Sequence, residues 1–483
     1  MVGLVETSAG GFEEGQDRRY AALSYCWGGT AKTLLTISSR AGFLTRGVDL
    51  EELPLTVQDA LKVTRELGLK WLWVDSLCII QDCKDDWLRE AGRMADVYRD
   101  CEVSIAALGA MSSVQGIFCH RDPLRYASCR LGKGITLLSP YVTGYMARNQ
   151  GIVWPLETRG WVVQERMLAR RTLKFGTYIS WECREGIKDE FLCEEGTTHW
   201  SSYHWSRKLF ELTERGRAVA DDQLRETWRK ILELYAESSL TVKSDRLVAI
   251  SGIIQAISRA TGYRNIAGLW EQYFVSSLMW TARYFGADSE HRGPRTGLPP
   301  SWSWAAVDSM ILADGAREMP DADRDVAVRV CTTQEAASFG IVIPDGRHEM
   351  PLHFRTLKID SDLYTLVRKF SDGELERGLK INIPQWPLGA WGRLILDTPV
   401  ESEEDRERMS LVPLRFQWQP GSVTQYRAGR MMGLVVQPSE RCKGAFERAG
   451  TWEVDFTRKE GEDLGPFDTM MVEQEGWRDI VLV

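Results

Sequence analysis

Between Tyr20 and Leu108 the hydrophobic period of the chain switches repeatedly between that of a strand and that of a helix, which leaves few folds available. Tyr20-Ala21-Ala22-Leu23-Ser24-Tyr25 is a short apolar run that halts at Gly28-Gly29, as a buried strand entering a loop does. Pro54 and Thr56 open a helix with Val57, Ala60, Leu61, Thr64 and Leu67 on one face and Gly68 as its stop. Thr56 is expected to cap it, answered by Asp59 as in a capping box. Trp71 to Ile80 is nearly all apolar, the composition of a strand covered on both faces, interrupted by Asp75 and Ser76. A polar pair in such a run is hydrogen-bonded or lies at the open end of the sheet. Asp86 to Tyr98 predicts a second amphipathic helix, and Cys101 to Leu108 a third strand. Strand, helix, strand, helix, strand predicts an α/β unit: a parallel sheet with helices packed on it.

The rest of the chain reads differently. Glu226–Ser239 and Asp245–Ala260 carry apolar residues at helical spacing, and Gly262 ends the second. From Ser301 onward the runs are short, alternating and divided by Gly, Pro and Asp. Val326–Val330, Gly340–Ile343, Leu379–Ile383, Leu394–Leu396, Leu411–Trp418, Met431–Val436 and Met470–Val472 read as strands of an antiparallel, β-rich region. The charged stretch Glu401–Arg408 reads as an exposed loop. The expected organisation is therefore an α/β domain over 1–200, a helical region over 201–300 and a β-rich region over 301–483.

A chain of 483 residues with 43% hydrophobic and 27% charged residues is globular in composition. Its net charge of −8 contains no long basic stripe, so no nucleic-acid footprint is expected. No run approaches the roughly 20 apolar residues of a membrane span. The N-terminus lacks a basic segment followed by an apolar one, so no secretory signal is expected. The ten cysteines are scattered without a CxxC pair, which reads as reduced thiols in a cytoplasmic protein. His199 and His204 are expected to be exposed, and no residue set predicts a metal site. No phosphate loop, nucleophile elbow or HExxH helix is present.

Five blocks in order resemble those of the fungal heterokaryon-incompatibility (HET) domain. They are Tyr20-Ala-Ala-Leu-Ser-Tyr-Cys-Trp-Gly28, Leu53-Pro-Leu-Thr-Val-Gln-Asp-Ala60, Trp71-Leu-Trp-Val-Asp-Ser-Leu-Cys-Ile-Ile-Gln81, Met94-Ala-Asp-Val-Tyr98 and Arg159-Gly-Trp-Val-Val-Gln-Glu-Arg166. Ser244–Gly252, Ala267–Trp270, Pro300–Trp304 and Phe446–Arg448 resemble segments that follow the domain in full-length family members. The resemblance implies a role in allorecognition and regulated cell death, with self-association or another incompatibility protein as partner. A second, shorter similarity is to Toll/interleukin-receptor-type (TIR) domains, some of which hydrolyse NAD. Leu23-Ser24-Tyr25 resembles their first strand, and Trp161-Val-Val-Gln-Glu165 resembles the helix with their catalytic glutamate. That similarity implies a TIR-like parallel sheet with flanking helices.

Four-residue spacing places Trp161 and Glu165 on one helix face. An indole packs against a ring, and a carboxylate accepts hydrogen bonds from ribose hydroxyls and steadies an oxocarbenium-like centre. Glu165 is thus the candidate catalytic residue of an NAD glycohydrolase, with NAD or a related small nucleotide as substrate and no cofactor. Ser24, Tyr25, Trp27, Gly28, Gly29, Asp75, Ser76 and Trp161 are the candidate substrate-binding residues, those after the strands because ligands favour the carboxyl edge of an open α/β sheet. Each has a structural alternative. Glu165 pairs equally well with Arg121, Arg166 or Arg170, Gly28-Gly29 is a turn in any case, and Asp75 suits a structural acceptor. Two other readings stay open: a non-catalytic, self-assembling recognition module, and an enzyme of small-molecule metabolism on the same scaffold.

Overall fold

The computed structural model describes residues 1–7, 15–29, 33–120, 129–132, 135–137, 154–190, 202–218, 221–283, 299–307, 310–312, 324–325, 328–330, 334, 352–356, 364–371, 374–381, 391–396, 408–418, 426–459 and 478–483. They form two compact units, Met1–Gly262 and Tyr263–Val483.

Alternation along β1 (Tyr20–Ser24) decides which side of the N-terminal sheet each residue faces. Ala21 and Leu23, with Tyr25 just beyond, join Val57, Ala60 and Ile105 in one core, whereas Ala22 packs with Met94, Tyr98 and Cys101 in another. The other elements of this unit are β2 (Trp71–Trp73), β3 (Val103–Ala107), the separate hairpin β4 (Cys129–Gly132) and β5 (Ile135–Leu137), then β6 (Arg171–Phe175), β7 (Ile179–Cys183) and β8 (Gly186–Asp189). The sheet order is β2-β1-β3-β6-β7-β8. Its first three junctions are parallel and its last two antiparallel. The helices are α1 (Ile37–Thr45), α2 (Leu55–Glu66), α3 (Asp75–Cys78), α4 (Lys84–Asp100), α5 (Gly160–Leu168), α6 (Ser202–Arg215), α7 (Asp221–Ala236) and α8 (Ser251–Thr261). An α/β sheet with flanking helices, then a helical segment and a C-terminal sheet, is the architecture that the alternating pattern predicts.

Two local expectations fail, each for a physical reason. The capping box at Thr56 does not form. Pro54 occupies the N-cap, Thr56 lies inside the first turn with a buried, unpartnered Oγ1, and the Asp59 carboxylate accepts from the Ile117 amide at 3.2 Å instead. The loop after β3 has taken the acceptor that the cap needed. The run Trp71–Ile80 is not one strand covered on both faces. β2 is an edge strand, half-buried, and stops at Trp73; the Asp75 carboxylate then accepts from the Ser76 amide at 2.7 Å and one helical turn follows. Leu77 and Ile79 are buried from that turn, so the apolar composition outlasts the strand.

Farther on, α7 occupies most of the first helical run, while the second divides into a 3-10 turn at Lys243–Arg246 and α8, closed by Gly262 at φ +74°. Among the described residues no helix is long and apolar enough to cross a membrane.

The second unit is built on a ten-stranded sheet, antiparallel except for one parallel contact between Phe446 and Leu482. Its longest strands are Ser410–Trp418, Tyr426–Pro438 and Phe446–Lys459. The runs Gly340–Ile343 and Met470–Val472, and residues 401–407 of the charged stretch, lie outside the described residues. Three separated motifs meet in its interior. Ala267 and Gly268 turn a two-residue hairpin with φ +47° and +93°, and Ser303 Oγ and Trp304 Nε1 donate to their carbonyls at 2.6 and 3.0 Å. The buried Arg448 guanidinium donates to the Leu278 and Trp280 carbonyls and lies 3.5 Å from the Trp280 ring centroid. Ser301 accepts from the Arg448 amide at 3.0 Å and donates to the Val483 carbonyl.

Candidate functional site

The chain leaves β1 for β2 on one side and reaches β3 on the other, so the strand order reverses between β1 and β3. In open α/β sheets the crevice at the carboxyl end of such a reversal is where ligands bind. Ser24 ends β1, Asp75 and Ser76 follow β2, and the loop at Met111–Gly116 follows β3. Helix α5 brings Glu165 in from farther along the chain.

Ser24 Oγ donates to Glu165 Oε2, and both residues are buried, 3% and 6% exposed. The Tyr98 hydroxyl approaches the same carboxyl and donates to the Leu23 carbonyl at 3.0 Å. Burial pushes Glu165 up to about 7. The Ser24 hydrogen bond, the Arg159 charge and Tyr98 oppose that rise, and the charge of Asp75 adds to it. None of the arginines expected as its partner forms an ion pair with it among the described residues. Arg166 pairs with Glu157 at 2.7 Å and Glu182 at 3.1 Å, Arg170 is exposed, and Arg121 lies outside the described residues.

The flanking residues of α5 explain why Glu165 points at the sheet. Buried Gln164 accepts from the Gly252 amide at 2.7 Å and so ties α5 to α8. A Cβ on Gly252 would lie 2.2 Å from Ala95 Cβ, so only glycine permits that approach. Arg166 is clamped by Glu157 and Glu182, and Glu182 is paired in turn with Lys174. Positions 164 and 166 thus fix α5, and the Ser24 hydroxyl holds the Glu165 carboxyl at the sheet.

Tyr25 and Trp27 belong to the core on the opposite face of β1, and each bonds to a residue just after β2. The Tyr25 hydroxyl donates to Ser76 Oγ at 2.9 Å, and Trp27 Nε1 donates to Asp75 Oδ2 at 2.8 Å. Asp75 is raised by burial, against the hydrogen bond from Trp27 and the charge of Arg159. Gly28 has φ +66°, and a Cβ there would lie 2.3 Å from Ser112 Cβ; Ser113 also donates to the Trp27 carbonyl, from its amide at 3.1 Å and its Oγ at 2.9 Å. Gly28 therefore joins the loops after β1 and β3, while Gly29 beside it has open space. Trp161 packs against the cluster of Ala22, Met94, Tyr98 and Cys101, and Tyr98 also approaches the Glu165 carboxyl. The Trp161 ring meets Trp87 edge-on at 6.3 Å, and Trp161 hydrogen-bonds to Asp245.

One residue that the sequence reading passed over spans both faces. Arg159, immediately before α5, donates from Nη1 to the Tyr25 carbonyl, and its charge lowers both Glu165 and Asp75. Its signal was its position in the Arg159-Gly160-Trp161 block, two residues before the indole that drew attention. Tyr98 was likewise visible only as the end of the predicted helix and of the Met94–Tyr98 block. His204 is exposed, His199 lies outside the described residues, and among the described residues no cluster of His, Cys, Asp and Glu is able to hold a metal ion.

A buried, nearly neutral carboxyl bonded to a hydroxyl is chemically a proton reservoir that an arriving cation converts to a carboxylate. No curated protein and no solved structure matches the chain significantly. Residues 20–165, just under a third of the chain, match the family model described as heterokaryon incompatibility protein (HET).

Proposed function

From a HET match that runs from the first strand through Glu165, we propose that this chain acts in heterokaryon incompatibility and the associated cell death. We further propose that its N-terminal unit does so by cleaving the N-glycosidic bond of NAD or a related nucleotide. The observation that carries this reading is the buried Ser24–Glu165 pair at the reversal of strand order, with its carboxyl held near neutrality. The nicotinamide ring of NAD is cationic, and its approach favours the ionised form of Glu165. As the C1′–N bond breaks, both electrons pass to the ring nitrogen and nicotinamide leaves neutral. The positive charge moves to the ribose, where a fixed carboxylate stabilises it. Water then attacks C1′ and gives its proton to Glu165.

The low exposure of Glu165 favours a second reading, in which the Ser24 bond only locks α5 to the sheet and the chain is a non-catalytic, self-assembling recognition module. Nicotinamide release from NAD by the purified protein separates the two. Release that falls about 100-fold or more in a folded Glu165→Gln protein supports the enzyme. No release from the folded wild type, or undiminished release from Glu165→Ala, excludes Glu165 catalysis and leaves the assembly reading.

A further inference from the structure

We infer that Arg159 is the anchor for a phosphate or pyrophosphate group of the ligand bound beside Glu165. The inference rests on the location of the proposed site and adds the chemistry of what enters it. Arg159 is half-buried, and its backbone is fixed. It pairs with Ser239 in an isolated parallel bridge, and the next amide, Gly160 N, donates to the Ser239 carbonyl at 2.8 Å. Its side chain reaches over the carboxyl end of β1, where Nη1 meets the Tyr25 carbonyl and the Cys26 thiol lies within hydrogen-bonding reach.

Two other arginines of this unit with little exposure show what such a group commonly has. Arg166 is neutralised by Glu157 and Glu182, and Arg229 by Glu226 and Glu233. Arg159 forms no ion pair among the described residues, although two carboxyls lie close enough to feel its charge. Glu165 is engaged by Ser24, and Asp75 by Trp27 and the Ser76 amide. A guanidinium has five N–H donors, and the Tyr25 carbonyl and Cys26 thiol leave most of them available. Their fork geometry matches two oxygens of a phosphate.

Both carboxyls near this cation are raised by burial and are bonded to other donors, so neither is committed to neutralising it. The open surroundings of Gly29 leave the loop after β1 uncrowded there. An oxyanion completes this arrangement; a neutral sugar or a peptide amine does not.

Binding of inorganic pyrophosphate to the full chain, measured calorimetrically, tests the inference without any turnover. Arg159→Gln is expected to weaken binding about tenfold or more, the loss of a charge-assisted pair of hydrogen bonds. Arg159→Lys keeps the charge and is expected to retain an intermediate affinity even if the glutamine variant folds poorly. A change at exposed Arg170, Arg170→Gln, is expected to bind as the wild type does. Where NAD is cleaved, Arg159→Lys raises KM more than it lowers kcat. Pyrophosphate binding that depends on Arg159 in a protein that cleaves no NAD upholds the anchor and refutes the hydrolase. Equal binding by wild type, Arg159→Lys and folded Arg159→Gln, or no binding by the folded wild type, overturns the anchor, whatever the fate of NAD.

Discussion

Glu165 and Glu182 are equally buried, at 6% exposure each, yet they have opposite acidities. Around Glu182 burial alone raises the carboxyl, but the charges of Arg166 and Lys174 outweigh it and hold the group at about 2. Around Glu165 the partners are hydroxyls, the nearby Arg159 guanidinium is bonded elsewhere, and burial prevails at about 7. The difference teaches that desolvation sets the direction only until a cation enters contact distance. Glu182 fastens β7, β6 and α5 to one another, whereas Glu165 keeps its proton exchangeable near neutrality.

Removing each charge in turn gives the largest contrast. Glu182→Gln leaves Lys174 buried without its carboxylate and is expected to cost about 3–5 kcal/mol in urea denaturation. Glu165→Gln, measured near pH 4, where the acid is mostly protonated both folded and unfolded, substitutes a neutral isostere and is expected to change stability by less than about 1 kcal/mol. Equal losses in the two variants would erase the distinction.

Titration sharpens it. Glu165 holds its proton more tightly folded, at about 7, than at its ordinary 4.5, so its stabilisation is complete below 4.5 and is lost as pH rises through 7. Roughly 3 kcal/mol is expected to disappear across that window in the wild type and not in Glu165→Gln. Glu182 runs the other way: its stabilisation is present above 4.5 and is lost as pH falls toward 2. Denaturation midpoints at stepped pH check both.

Smaller effects probe the supports of α5. Gly252→Ala forces a methyl against Ala95 and Gln164 and is expected to destabilise by about 1–3 kcal/mol. Ser24→Ala removes a hydrogen bond that favours the ionised form, so the Glu165 titration followed by carbon-13 NMR is expected to move upward from about 7. A downward move would show that Ser24 stabilises the protonated acid.

Much of this was legible in the residues. The change of hydrophobic period over Tyr20–Leu108 foretold the α/β sheet, and the shift to short alternating runs after Ser301 foretold the second. Both cores are built by patterns that repeat locally. The division of the candidate residues between two faces was also available, since neighbours Ser24 and Tyr25 must point apart on a strand. What lay hidden was long-range pairing. Nothing near Arg159 announces the Tyr25 carbonyl, and nothing in Arg166 chooses Glu157 and Glu182 over Glu165. The Thr56 cap was misread for the same reason, because Ile117, distant in sequence, claimed Asp59.

The bond from Ser301 to the Val483 carbonyl spans 182 positions. During synthesis the interior of the second unit therefore stays incomplete until residues 478–483 have cleared the ribosome, whereas every strand and helix of the first unit has emerged long before. At roughly 5–20 residues added per second, that interval lasts on the order of tens of seconds. In each newly made molecule the Ser24–Glu165 pair is thus the older structure, assembled while the later sheet is still nascent chain.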